Sequence, residues 1–204
     1  MAGSLYFPQS AIQTSDITAT ARHSVLVRIT HWVNTVSFFG LLVSGVAILL
    51  AHPRLYWGEV GNVGTPSIID LPLPFVLTGQ TGWGRSLHFL TAWVCVINGL
   101  FYVVSGILTR HFRGSASSYG LLQRTAYLGV IFVLFPLMIW TGFAMSPAIT
   151  STFPILVTSL GGQQSARTIH FIVTGLLVLF LVIHVAMALV MRRLTGMITG
   201  EERA

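Results

Sequence analysis

IHFIVTGLLVLFLVIHVAMALVM, residues Ile169–Met191, says more about the fold than any other segment of this chain. An apolar run of about 20 residues is long enough to cross a bilayer as a helix. An ionisable side chain at that depth is costly and normally faces the interior of a helix bundle. His170 and His184 are fourteen residues apart, so a helix places them on one face, roughly 40° apart, and about 21 Å apart along its axis. This spacing predicts one metal-binding histidine near each membrane surface and two stacked cofactors, for which haem is the obvious candidate.

Composition places the whole chain in the membrane class. Of its 204 residues, 53% are hydrophobic and 8% are charged, whereas soluble domains carry about a quarter charged residues. The net charge of +6 is supplied by arginine alone, and on a membrane protein such a charge reports topology and anionic headgroups rather than a nucleic-acid partner. A single cysteine, Cys95, excludes an internal disulfide framework, a four-cysteine zinc site and a self-contained iron–sulfur cluster.

Four apolar segments predict an all-α fold, a four-helix integral membrane bundle that forms one domain. A buried helical core of a soluble protein is the alternative interpretation, and four runs with so few charges argue against it. A polar N-terminal arm, residues 1–23, shows no removable signal peptide. The expected membrane spans are approximately residues 25–50, 87–109, 122–145 and 168–191.

The arginines predict the orientation of these spans. Eight of the eleven fall on one side and three, Arg54, Arg85 and Arg167, on the other. The positive-inside rule then places both termini in the cytoplasm. The long connections 51–85 and 146–166 lie on the opposite side, where we expect lids or a docking surface because long loops are usually functional.

A short pattern recurs in three of the spans. It reads Arg28-Ile-Thr-His31-Trp32, Arg85-Ser-Leu-His88-Phe89 and Arg167-Thr-Ile-His170-Phe171. The arginine lies one turn before the histidine, on the same face and nearer the water. There its guanidinium can pair with a haem propionate while the imidazole binds iron. Ordinary interfacial arginines at a helix start are the alternative, and the threefold recurrence favours haem.

Depth in the membrane pairs the four histidines. The first span enters from the cytoplasm, so His31 lies at the cytoplasmic level together with His184. The second and fourth spans enter from outside, so His88 pairs with His170 near the outer surface. Two bis-histidine haems follow, and Gly45, fourteen residues after His31, is expected to leave room at the outer one. A proton relay would need acidic residues, which the four spans lack, and a transition-metal site would need its ligands at one depth.

This ligand layout resembles that of the bacterial di-haem cytochrome b561 superfamily, which includes the cytochrome b subunits of nickel–iron hydrogenases and formate dehydrogenases. The likeness covers the chain from about Arg22 to Arg193. It implies a four-helix bundle in the bacterial inner membrane, two b haems and electron transfer between a periplasmic partner and the quinone pool. The long connections would then face the periplasm. The connection 51–85 is long for a minimal stand-alone member. The chain also lacks the extra polar segments by which some members hold an iron–sulfur subunit, so the branch stays open.

Three functions are compatible with these residues. The first is the quinone-linked electron-transfer subunit of an oxidoreductase complex, with a periplasmic partner of molybdenum, iron–sulfur or hydrogenase type. The second is a self-sufficient small cytochrome b561 that acts as a superoxide:quinone oxidoreductase, in which outer arginines steer the anion. The third is a non-redox membrane assembly or transport protein. No catalytic side chain is expected, because the redox chemistry belongs to the haem.

A quinone is expected close to the cytoplasmic haem. Interfacial polar residues could contact it there, although a role as ordinary interfacial side chains is the simpler interpretation. The candidate residues are Asn34, Arg110, Gln123 and Arg124. Whether the chain forms a homodimer stays open.

Overall fold

The computed structural model describes residues 24–62, 64–72, 81–109 and 121–190. The predicted N-terminal arm, residues 1–23, lies outside this part of the chain. The helices are α1 (Val25–Ala51), α2 (Thr81–Leu108), a third span built from α3 (Leu121–Gly129), a π-helical turn (Val130–Leu134) and α4 (Phe135–Ala144), two short helices, α5 (Pro147–Thr150) and α6 (Ile155–Thr158), and α7 (Gln163–Val190).

Four of these helical segments are long and apolar enough to cross a membrane. They confirm the predicted all-α, four-helix membrane fold, and the side of the membrane that the termini face stays a prediction. The second and fourth helices begin earlier than expected, at Thr81 instead of residue 87 and at Gln163 instead of residue 168. Both helices begin in the more polar segment that precedes their apolar stretch, because a helix can extend from the membrane into the polar interface.

The third span contains a π-helical turn, Val130–Leu134. Pro136 explains it, because proline has no N–H and its ring presses against the carbonyl four residues earlier, that of Phe132. The widened turn removes this clash, and the N–H of Phe135 bonds to the carbonyl of Val130, five residues back. One extra residue rotates the following helix by about 100° relative to an uninterrupted α-helix. The turn therefore decides which face of α4 meets α7.

Each of the two halves of the bundle has its own close helix contact. In the first half α1 meets α2 at Gly40, where a Cβ atom would stand 2.7 Å from the Thr91 Cγ2 atom. In the second half the π-helical turn packs against α7 through the buried residues Val130, Val173 and Leu177. The space between the two halves holds the histidines described below.

A folded segment follows α1, and we call residues 52–62 and 64–72 the cap. Its strands β1 (Arg54–Leu55) and β2 (Ile69–Asp70) pair antiparallel, with Arg54 opposite Asp70. The Arg54 Nε atom lies 3.1 Å from Asp70 Oδ2, and both side chains are about half exposed. Such a surface ion pair contributes about 0–1 kcal/mol. The stability of the cap therefore comes mainly from its contacts with the start of α7.

Three main-chain groups of the cap bond to the first turns of α7. The Gly58 carbonyl accepts hydrogen bonds from the N–H groups of Gln164 and Ser165, at 3.0 and 3.3 Å. The Gly58 N–H donates to Ser165 Oγ at 2.8 Å. The Thr168 hydroxyl donates to the carbonyl of Tyr56 at 2.6 Å. Because the first N–H groups of a helix have no partner within it, these bonds cap α7 and fix the cap upon it.

We expect Thr168→Val to destabilise the protein by about 1–3 kcal/mol, because valine keeps the shape but leaves the buried Tyr56 carbonyl without its donor. Thermal unfolding in detergent measures this loss. Thr158→Val is the matched control, since its hydroxyl is exposed and bonds only within its own short helix. Equal stability of the two variants would contradict a structural role for the Thr168 bond.

Candidate functional site

Four histidines from three helices form two facing pairs. The rings of His88 (α2) and His170 (α7) have centroids 6.2 Å apart and an interplanar angle of 58°. The rings of His31 (α1) and His184 (α7) have centroids 6.4 Å apart and an angle of 44°. We call the first the cap-side pair, because the cap is bonded to α7 just before His170, and the second the distal pair. The structure thus brings together the same histidines that the depth argument paired.

The ring separations fit a metal ion held between two imidazoles. Because an imidazole nitrogen binds a first-row metal at about 2 Å and the ring centre lies about 1.2 Å behind it, two imidazoles on opposite sides of one ion have centres about 6.4 Å apart. Over the described residues, no group of three or more His, Cys, Asp or Glu side chains converges on one point. A site with only two protein ligands suits a metal whose other positions are filled by a porphyrin.

A hydroxyl from a neighbouring helix contacts each ring of the cap-side pair. Ser44 Oγ of α1 lies 3.0 Å from Nδ1 of His88, and Thr141 Oγ1 of α4 lies 2.8 Å from Nδ1 of His170. Both hydroxyl residues are fully buried. Neither residue was predicted as a site residue from the sequence. A hydroxyl residue followed by glycine occurs once in each apolar span, at Ser44-Gly45, Ser105-Gly106, Thr141-Gly142 and Thr174-Gly175, so this pattern alone does not single out Ser44 and Thr141.

The glycine that follows each hydroxyl residue lies against the same imidazole. A Cβ atom at Gly45 would be 3.7 Å from Cε1 of His88, and one at Gly142 would be 3.8 Å from Cε1 of His170. These are ordinary contact distances, so alanine would fit and a larger side chain would meet the ring. Gly45 was expected to leave room at this level, and the structure places it beside the His88 imidazole.

Aromatic side chains surround the distal pair. Phe180 is stacked on His184, with ring centroids 5.7 Å apart and an interplanar angle of 22°. Trp32 meets His31 edge-on at 5.6 Å. The amide of Asn98 on α2 donates to the carbonyl of Thr30 at 2.7 Å, which fixes α1 against α2 beside His31. The two pairs therefore have different surroundings, hydroxyls at one level and aromatic rings at the other.

The three arginines that precede the histidines occupy different environments. Arg28 is half-buried on α1, and Arg85 is exposed near the start of α2. Arg167 is half-buried and its guanidinium donates to the carbonyl of His52, at the end of α1. This carbonyl is one of those that a helix end leaves without an internal partner, so Arg167 joins α7 to α1. The contact was not foreseen, and the propionate role of all three arginines stays a prediction.

The quinone candidates are only partly described. Asn34 lies one turn beyond His31 on α1, and its Oδ1 atom is buried without a hydrogen-bond partner in the described part of the chain. Gln123 is half-buried and Arg124 is exposed in the first turns of α3. Arg110 lies outside the described residues. These assignments stay predictions, with Asn34 the member closest in sequence to a histidine of the distal pair.

Comparison with known proteins gives two matches of nearly full length. A family model described as prokaryotic cytochrome b561 matches residues 22–200. A protein of Azospira oryzae, provisionally named protein-methionine-sulfoxide reductase subunit YedZ1, is 33% identical over 212 residues, which cover 89% of this chain and 97% of the relative. No solved structure matches the chain. The family match includes all four spans and both histidine pairs.

Proposed function

We propose that this chain, which belongs to the prokaryotic cytochrome b561 family, is a di-haem subunit that connects a periplasmic oxidoreductase with the quinone pool. Its family and its four apolar helices make it a multi-pass integral membrane protein that binds haem b and transfers electrons. The number of haems, their ligands, the bacterial inner membrane, the cytoplasmic termini and the two redox partners belong to the proposal.

The ring separations of the two histidine pairs carry this proposal. His88 and His170 would hold one haem and His31 and His184 the other, since 6.2 and 6.4 Å between centroids suit two axial imidazoles on one iron. When bound, haem supplies one-electron chemistry at its iron. The chain itself holds imidazoles at two depths, about 21 Å apart along α7, within a hydrocarbon layer of about 30 Å. Neither membrane surface is then far from a ligand pair.

Exposed apolar side chains on the cap support the proposal that a protein partner docks on this side. Trp57, Val60 and Ile68 of the cap are exposed, as are Phe153 and Ile155 in the connection between the third span and α7. Exposed apolar groups of this kind commonly mark an interaction surface. We infer that a catalytic subunit docks here, above the cap-side pair.

The name of the Azospira relative suggests what this partner does. That protein is named as a subunit of a protein-methionine-sulfoxide reductase. A partner of the same kind would reduce methionine sulfoxide to methionine and water, which consumes two electrons and two protons. Oxidation of one quinol to a quinone releases the same two electrons and two protons. We therefore propose that electrons run from quinol, bound near the distal pair and Asn34, towards the cap side.

Haem content and quinol reduction test this function. We expect the protein purified in detergent to contain two b-type haems per chain and both to be reduced by a short-chain quinol. Addition of a purified methionine-sulfoxide reductase catalytic subunit, with its substrate, should then reoxidise both haems. One haem per chain would contradict the ligand assignment. Two haems that quinol leaves oxidised would contradict the quinone link, and rapid reduction by superoxide alone would favour the self-sufficient enzyme.

A further inference from the structure

We propose that Ser44 and Thr141 are positioning residues, which fix the proton and the ring orientation of His88 and His170 so that Nε2 of each ring faces the iron. The inference rests on the proposed function, in which these two histidines hold one haem. Family membership assigns a role to neither hydroxyl. The position of the single hydrogen of each hydroxyl decides which atom donates in its bond to the imidazole.

The Ser44 hydroxyl donates its hydrogen to a backbone carbonyl of its own helix. Ser44 Oγ lies 2.7 Å from the carbonyl of Gly40 and 3.1 Å from that of Leu41. A hydroxyl has one hydrogen to donate and two lone pairs to accept with. Towards His88, 3.0 Å away, the oxygen can therefore only accept, and the hydrogen between the two atoms belongs to Nδ1 of the ring.

Thr141 repeats this arrangement on α4. Its Oγ1 atom lies 2.9 Å from the carbonyl of Leu137 and 3.0 Å from that of Met138. The same oxygen lies 2.8 Å from Nδ1 of His170. The hydroxyl again donates along its own helix and accepts from the imidazole. Both rings of the cap-side pair thus carry their hydrogen on Nδ1.

A neutral imidazole with its hydrogen on Nδ1 has its free lone pair on Nε2. That nitrogen is the one available to a metal. An acceptor behind a metal-binding histidine also holds the ring at a fixed angle and makes it a stronger electron donor to the metal. Because Ser44 and Thr141 are fully buried, water does not compete for these bonds. The 58° between the two ring planes is then set by the two neighbouring helices.

The same device occurs once in each half of the bundle. In the first half Ser44 and Gly45 of α1 contact His88 of α2, and in the second half Thr141 and Gly142 of α4 contact the histidine of α7. In each case the hydroxyl bonds to Nδ1 and the glycine leaves space for the flank of the ring. Serine and threonine often bond only to their own helix. Ser44 and Thr141 differ because each hydroxyl also contacts Nδ1 of a histidine on a neighbouring helix.

The decisive variant is Thr141→Val, which keeps the shape and removes the hydroxyl acceptor. We expect it to raise the midpoint potential of the cap-side haem, because a weaker donor ligand stabilises ferric iron less. The electron paramagnetic resonance signal of that haem should also shift, since it depends on the angle between the ligand planes. Thr141→Ser restores the hydroxyl and should restore both values. The distal haem in the same sample is the internal reference, and its values should not change.

Ser44→Ala should shift the same haem in the same direction. Ser37→Ala is its control, because Ser37 is a buried serine two turns earlier on α1. If Thr141→Val loses the cap-side haem, retention of that haem by Thr141→Ser supports the proposal, and its loss there overturns it in favour of a packing role. If Thr141→Val does not accumulate in the membrane, Ser44→Ala decides.

Unchanged potentials and spectra in Thr141→Val and Ser44→Ala would overturn the positioning role while leaving both haems in place. Failure of the proposed function gives a different result. In that case His88→Leu and His170→Leu would retain two haems, and the hydroxyl variants would then be neutral for a separate reason. The histidine variants therefore distinguish the two failures.

Discussion

His170→Leu should remove one of two b-type haems and leave the other, so that about half of the b-type absorbance disappears. His88→Leu should abolish the same spectral component. The reason is geometric, because each ring supplies one of the two imidazoles around a single site, and their centroids are 6.2 Å apart. Leucine is apolar and close to histidine in size, so the helices can still insert. Reduced-minus-oxidised spectra of the purified variants, with haem counted per chain, measure the loss.

The distal pair provides the matched comparison. His31→Leu and His184→Leu should each abolish the second component and spare the first, because these two rings face each other at 6.4 Å. His52→Leu is a neutral control, since its side chain is exposed at the end of α1. If His31→Leu and His88→Leu abolished the same component, the pairing would be wrong.

Gly162→Ala should destabilise the protein by about 2–5 kcal/mol, because a strained backbone angle and an overlap act together. Gly162 has a φ of +117°, which side-chain-bearing residues rarely adopt, and a Cβ atom there would stand 2.5 Å from the Gly58 carbonyl carbon and oxygen. Those atoms are backbone and cannot rotate away. The cap would have to lift from α7, which breaks the bonds between Gly58 and Ser165. Thermal unfolding and protease cleavage within the cap measure this effect.

Two other glycines separate the two causes. Gly58 has a φ of +97° but nothing within 4 Å of a Cβ atom, so Gly58→Ala should cost only the backbone term, about 1–2 kcal/mol. Gly82 lies in α2 with open space around it, so Gly82→Ala should be neutral or slightly stabilising. Equal loss in Gly162→Ala and Gly58→Ala would show that the overlap with the Gly58 backbone adds nothing to the backbone term.

The histidine pairs were predictable from sequence because they depend on period and depth. A fourteen-residue spacing fixes the face and the level of a side chain in a straight helix. The alternating directions of the spans then assign each histidine to one side of the membrane. The length of an apolar run also predicts a membrane helix well. Spacing and span direction fix the position of a side chain along its helix axis. They do not predict which side chains of another helix will contact it.

The contacts missed from sequence are those between distant segments. Nothing local to Ser44 shows that it will meet His88, and nothing local to Gly58 shows that it will cap α7. The recurrent arginine pattern placed Arg167 one turn before His170, but its observed partner, the His52 carbonyl, comes from another helix end. Pro136 was visible in the sequence, yet whether a proline kinks a helix or widens one turn depends on the packing around it.

In the proposed ligand assignment one helix contributes a histidine to both pairs, and this has a consequence for biogenesis. The partners of His170 and His184 come from α2 and α1, which leave the ribosome first, whereas α7 is the last of the four spans to be made. Until it has entered the bilayer, each level presents a single imidazole, and neither centre can form. On this assignment we expect premature termination before residue 170 to yield no half-loaded protein, and cofactor insertion to follow completion of the chain instead of proceeding span by span.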